Sequence, residues 1–532
     1  MRTSKATSVL AHSFIFFLVL TFGIFAQAAN DNPGVQNPQV EVQTAIHHDV
    51  SPALRDIPNR MPELDAVPHE HPVKRWPHTP VTSATDQALQ TGSIGAFNAT
   101  LGKSFDGVGI PNYAVNAAPP DTEGSVGATQ YVQWVNEAFA VFDKTTGSMI
   151  KGPTAGNTLW AGFGGGCQNN NDGDPIVLWD KAASRWIFMQ FSVSTTPYLQ
   201  CVAVSTTSDA TGTYNRYSFS FGTGFNDYPK LGVWPDAYYT TYNIFNNGST
   251  FAGAKLCAWN RTAMLAGTAA TQQCFQLSTS YGGVLPADLD GSTAPPAGSP
   301  NYMVNFGSNV LNVWKFHVDF TIPTNTKLTG PTTLGVASFT EACGEGTCVP
   351  QPSTSNKLDS LADRVMYRLA YRNRSGTESL VVNHTVKTGG TKRAEQDGVR
   401  WYEIGISSQT PSIRQQGTFA PDTNSRWMGS MAMDKVGDIA VGYSVSSGSL
   451  VPSIRFTGRV STDPLGTLET EVNEFNGSGS QTGSLHRWGD YSSLSLDPAD
   501  DCTFWYTQEY LKSNGSFNWS TRIASFKFAS CI

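Results

Sequence analysis

From about residue 120 onward, apolar positions come in short alternating runs broken by glycine, proline and acidic turns, with no long stretch of helical period. Several segments share one plan: an acidic or polar lead-in, a short strand, a turn and a second, aromatic-rich strand. Asp174–Phe188, Asp227–Tyr242, Arg426–Tyr443 and Asp490–Trp505 follow it, and Arg426-Trp427 and Arg487-Trp488 open two units identically. Asp121 leading to Tyr131–Phe142, Asp359–Tyr371 and a weaker unit near Asn301–Phe316 extend the series. The units are spaced roughly 53 to 74 residues apart, longer than the usual propeller blade of about 40 to 50 and so carrying generous loops. A lone sheet of this kind cannot bury both faces, whereas radial packing buries them and leaves only short edges. The expected fold is all-β, a β-propeller of seven four-stranded blades over residues 101–532, with six or eight also compatible.

The chain ahead of the repeats is of a different kind. Arg2 and Lys5, an apolar run from Phe14 to Phe25 and the small-x-small Ala26-Gln27-Ala28 form a signal peptide over residues 1–28. Residues 29–100 are proline-rich and lack apolar periodicity, so they read as a pro-region, a linker or an arm wrapped on the surface. This stretch holds His47, His48, His69, His71 and His78. They read as solvated arm residues; the alternative, a transition-metal pair at His47-His48 or His69-x-His71, lacks a second ligand cluster, and no metal is assigned.

A net charge of −7 with no basic run argues against nucleic acid as a partner, and no later apolar stretch is long enough for a membrane span. Eight cysteines in an exported chain imply disulfides, and sequential pairing would staple single hairpins or blades.

Two turns, Ser205–Gly212 around Asp209 and Ser461-Thr-Asp463-Pro-Leu-Gly466, resemble the Asp-box (BNR) repeat of the sialidase-like β-propeller superfamily. The resemblance implies the fold class; Asp boxes are structural there, and the Phe/Tyr-Arg-Ile-Pro motif of sialidases is absent. Pro119–Gly124, Asp227–Pro229 and Trp488–Ser492 also resemble a class of secreted bacterial propellers, which implies fold and export without an activity.

In a propeller the turns before the innermost strands crowd one mouth. The repeat puts Asp121, Asp174, Asp227 and Asp490 there, a carboxylate set suited to the paired acid and base of glycosidic cleavage, with His486 as a further acid or base. Arg364, Arg426 and Arg487 recur beside these positions and suit a substrate carboxylate, while Trp427, Trp488 and Tyr228 would stack on sugar rings. The competing reading makes each Asp a cap of its own turn and each aromatic a wedge between blades. Arg364, Arg368 and Arg372 share strand parity and read as a solvated ladder on one blade. The oxygen-rich loop Asn169–Asp174 offers weak Ca²⁺ ligation near Asp172 and Asp174; otherwise no cofactor is expected.

The expected function is a secreted carbohydrate-active propeller, foremost a glycoside hydrolase on extracellular polysaccharide. A non-catalytic glycan- or protein-binding module and a polysaccharide lyase are the alternatives, since the fold hosts all three. Oligomeric state is not legible in the chain.

Overall fold

In the computed structural model, the described residues are Met1, Thr3 and residues 39–61, 67–82, 85–391 and 394–532. The signal-peptide reading falls almost wholly outside them. The described residues from 39 onward form one unit, and its strands build four-stranded antiparallel meanders around a common axis. The leading strands, in blade order 1 to 7, are Glu123–Val126, Ile176–Asp180, Gly224–Val233, Leu285–Asp290, Met366–Arg374, Ser425–Met433 and Ser493–Leu496. Each lies beside the leading strand of the next blade, and that of blade 7 returns to that of blade 1. The protein is a β-propeller.

Burial explains why the strands lose their alternation toward the centre. Ser425–Met433 and Ile439–Ser446 of blade 6 are buried at every position, because neighbouring blades cover both faces. The outermost strand of blade 4, Lys327–Gly335, has one face open and is exposed or half-buried throughout. Aromatic rings fill the wedges between blades: Trp134 of blade 1 meets Phe188 of blade 2 edge-on at 5.6 Å, and Phe456 of blade 6 stacks on Phe526 of blade 7 at 3.8 Å. The four disulfides are Cys167–Cys201, Cys257–Cys274, Cys343–Cys348 and Cys502–Cys531, the sequential pairing expected.

The proline-rich segment lies on the body wherever it is described. Glu41–Thr44 adds an edge strand to blade 3, and His47–Val50 adds one to blade 2. Leu54 and Ile57 are buried against blades 1 and 2. His69–Glu70 pairs in parallel with Ala117–Ala118, and Trp76 is buried beside Phe251. Ala99–Asp106 then pairs with Trp519–Phe528 and supplies the outer strand of blade 7, so segments far apart in sequence meet in one sheet.

The ladder reading of the blade 5 arginines is corrected. Arg364, Arg368 and Arg372 are all buried. Arg368 reaches from blade 5 to Asp288 and Asp290 in blade 4 and donates to the Leu494 carbonyl of blade 7 at 2.8 Å. Arg372 forks onto Asp501 at 2.8 and 2.9 Å. A buried guanidinium must be paired, and for Arg368 and Arg372 the partners come from other blades, so these two ions link the ring around its axis.

Candidate active site at the propeller mouth

The turns before the leading strands of blades 1, 2 and 7 carry Asp121, Asp174 and Asp490, Asp227 sits at a bulge within the leading strand of blade 3, and all four line one cavity of about 370 Å³. Arg364 and Arg487 line it too. The backbone at these turns is held in the left-handed region: φ is 45° at Asp121, 46° at Asp174 and 52° at Tyr228. Aspartate tolerates that conformation through local hydrogen bonds, but a tyrosine there is strained and needs its surroundings to hold it. Gly173 has φ 95°, and a Cβ there would lie 1.8 Å from Asn136 Oδ1, so only glycine permits this approach.

That approach matters because Asn136 joins two of the carboxylate turns. Its amide donates to Asp121 Oδ2 at 3.1 Å, and its Oδ1 accepts from the Asp174 backbone N–H at 3.0 Å. Asp121 Oδ1 accepts from the Asp490 N–H of blade 7 at 2.7 Å, and Asp174 Oδ2 accepts from the Tyr228 N–H of blade 3 at 3.2 Å. Asp121 and Asp174 therefore bond to the turn of a neighbouring blade, which stitches the mouth together circumferentially.

Charge is balanced unevenly around the cavity. Arg487 pairs with Asp490 and donates to the His71 carbonyl at 2.7 Å. Arg364 forks onto Asp363 at 2.8 and 3.2 Å, with its guanidinium 4.6 Å from the Trp76 ring and 4.5 Å from that of Tyr228. Beneath them, Lys230 Nζ sits 3.7 Å from the Tyr228 ring centre and 3.8 Å from that of Tyr491. Burial lowers the Lys230 pKa to about 8 against the pull of Asp174, Asp121 and Glu123. Burial, reinforced by the Asp174 charge, raises Asp121 and Asp227 to about 7 each. Asp121 is almost fully buried in the cavity wall, whereas Asp227 is half-buried and more open to the cavity. The mouth thus offers a carboxyl protonated near neutrality beside further carboxylates.

Of the other sequence-derived candidates, only Asp172 lines the cavity. Trp427 and Trp488 are fully buried and meet each other at 6.0 Å between blades, so they are wedges and cannot stack on a ligand. Tyr228 is also buried and serves as a platform for Arg364 and Lys230. Arg426 is enclosed in blade 6, forking onto Glu471 at 2.8 and 2.9 Å and holding Asp422 at 2.9 Å. His486 stays off the cavity, its Nδ1 bonded to the Lys357 carbonyl at 2.9 Å. Asp172 uses both oxygens on Val193 N, Ser194 N and Ser194 Oγ, at 2.5, 2.8 and 2.5 Å, so its carboxylate caps a loop.

The mouth also recruits residues that sequence reasoning left out. His69, His71 and Lys74 come from the proline-rich segment, Glu137 from a tight turn in blade 1, and Phe225 from blade 3. Only the spacing His69-x-His71 signalled any of them in advance.

No family model and no curated protein matches the chain. Among solved structures it is similar to the α-L-arabinofuranosidase Arb93A of Fusarium graminearum at 10% identity and TM-score 0.35, covering 81% of this chain and 99% of that one. A protein of unknown function from Dyadobacter fermentans gives 9% and 0.33 over 81% and 99%. A Trypanosoma rangeli sialidase gives 11% and 0.30 over 66% and 54%. These likenesses are too slight to carry an activity across.

Proposed function

We propose that the protein is a secreted glycoside hydrolase acting on an extracellular polysaccharide at the mouth of its propeller. The observation that carries this reading is the convergence of Asp121, Asp174, Asp227 and Asp490, from four blades, on one cavity. Glycosidic cleavage needs a protonated carboxyl for the leaving oxygen and an ionised one on the far side of the sugar. Asp227 fits the acid, since burial and the Asp174 charge keep its proton near neutral pH. Asp174 and Asp490 supply the base or nucleophile, and Asp121 holds the backbone of the Asp490 turn. The N-terminal apolar run and the four disulfides support export.

Lyase chemistry is less well supported. Arg364 and Arg487 are already committed to Asp363 and Asp490, and burial pushes Tyr228 and Tyr491 well above the range of a useful base.

The test is a screen of the purified protein against neutral and acidic polysaccharides, reading new reducing ends and ultraviolet absorbance together. Reducing ends without absorbance, lost in Asp227→Asn and Asp490→Asn, are expected. Absorbing product would move the reading to a lyase, and glycan binding without product to a binding module.

A further inference from the structure

We propose that His69, His71 and Glu137 form a binding site for one divalent transition-metal ion of the Zn²⁺ class, set in the rim of the mouth cavity. This stands whether or not the cavity cleaves glycans. His69 and His71 alternate on an extended segment, so their rings fall on the same side. That segment is fixed by backbone bonds from His69 N to Asn116 O at 2.9 Å and from His71 N to Ala118 O at 2.7 Å. Both rings turn their Nε2 atoms to a single oxygen, Glu137 Oε1, at 3.0 and 3.1 Å. The three ligand atoms all lie within 4.8 Å of one another, and the two rings meet edge to face at 5.0 Å.

These separations are about those between adjacent ligands on an ion with bonds of roughly 2.0–2.1 Å. Two imidazoles and one carboxylate favour Zn²⁺ and its neighbours over Ca²⁺ or Mg²⁺, which take oxygen ligands. Glu137 is held from behind: its carbonyl accepts from Gly156 N and Asn171 Nδ2, each at 2.9 Å. The His69 side chain is about half exposed, which gives an ion a way in. Three protein ligands leave a position open, and the same cavity holds Asp121 and Asp174. The ion would also tie the proline-rich segment to blade 1, which the two-residue pairing of His69–Glu70 alone does weakly.

The test uses untagged full-length mature protein, stripped with a chelator and titrated with ZnCl₂ by calorimetry, with bound metal counted by elemental analysis and Co²⁺ added in parallel as a visible-absorption probe. One Zn²⁺ per chain is expected, with affinity at least about tenfold weaker in His71→Ala and in Glu137→Gln and the Co²⁺ band lost in both. The double variant His47→Ala/His48→Ala, on the edge of blade 2, is expected to bind as the wild type does. Absence of saturable binding overturns the proposal. So does binding that survives His71→Ala and Glu137→Gln in folded protein, or that disappears with His47 and His48 alone.

Discussion

Replacing Asp227 by asparagine separates what its carboxyl does for the cavity from what it costs the fold. In the native protein this group has a pKa near 7 against an ordinary value of 3.8. The folded state therefore holds a proton more tightly than the unfolded chain. The stability tied to it is fully present below pH 3.8 and is lost as pH rises through 7. A shift of roughly three units at about 1.4 kcal/mol each sets a ceiling of about 4 kcal/mol, and water in the cavity reduces it to about 2. Asparagine keeps the shape without the charge, so Asp227→Asn should stabilise the protein by about 2 kcal/mol at pH 8 and by close to nothing at pH 4. For a chain of 532 residues the unfolding entropy is about 1 kcal/mol/K, so the melting temperature should rise about 2 °C at pH 8. Scanning calorimetry at both pH values, with a hydrolysis assay on the same samples, reads the two effects together: stability gained and activity lost. A variant that melts no higher than the native protein at pH 8, or whose advantage persists at pH 4, would refute the electrostatic reasoning.

The native activity should fall as pH rises through about 7, where Asp227 loses its proton; a rate–pH profile with no alkaline limb near 7 would exclude Asp227 as the acid. Arg426→Ala should cost about 3–5 kcal/mol by leaving Glu471 and Asp422 without their guanidinium, measured by denaturant unfolding, while kcat/KM at a temperature where the variant stays folded is unchanged. Gly173→Ala should lower kcat without comparable loss of global stability, since the new Cβ pushes Asn136 away from Asp121 and Asp174; rates and melting curves measured side by side check this. Trp76→Ala should cost about 3–5 kcal/mol and speed limited proteolysis of the proline-rich segment, because the indole is buried between Phe251 and Arg364.

Much of the fold was legible because propeller strands are local. Each meander pairs strands adjacent in sequence, so the recurrence of Asp174, Asp227 and Asp490 before short strands carried both the repeat and the position of the mouth. The cysteine pairing was legible for the same reason. The roles of Trp427 and Trp488 were not, because a tryptophan beside an acidic turn has the same local sequence whether it faces a ligand or wedges between blades. Arg368 shows the limit again: strand parity put it on a face with Arg364 and Arg372, but parity does not say whether that face meets water or Asp288 of another blade. The histidines were hardest. Proline-rich sequence gives no register, and only the distant pairing of His69–Glu70 with Ala117–Ala118 brings them to the cavity.

The strand Ala99–Asp106 has a consequence for how the molecule is made. Its partner strand, Trp519–Phe528, comes far later in the sequence, and Arg522 Nε bonds to Ser104 Oγ across 418 residues. Until Trp519–Phe528 is in place, Ala99–Asp106 has no partner strand and Thr503–Leu511 of blade 7 has an unpaired edge. Pairing across so long a separation is entropically costly, and a chain lacking Trp519–Phe528 is left with an open edge that favours association. The outer edge of blade 7 is therefore protected only by two segments far apart in the chain finding each other.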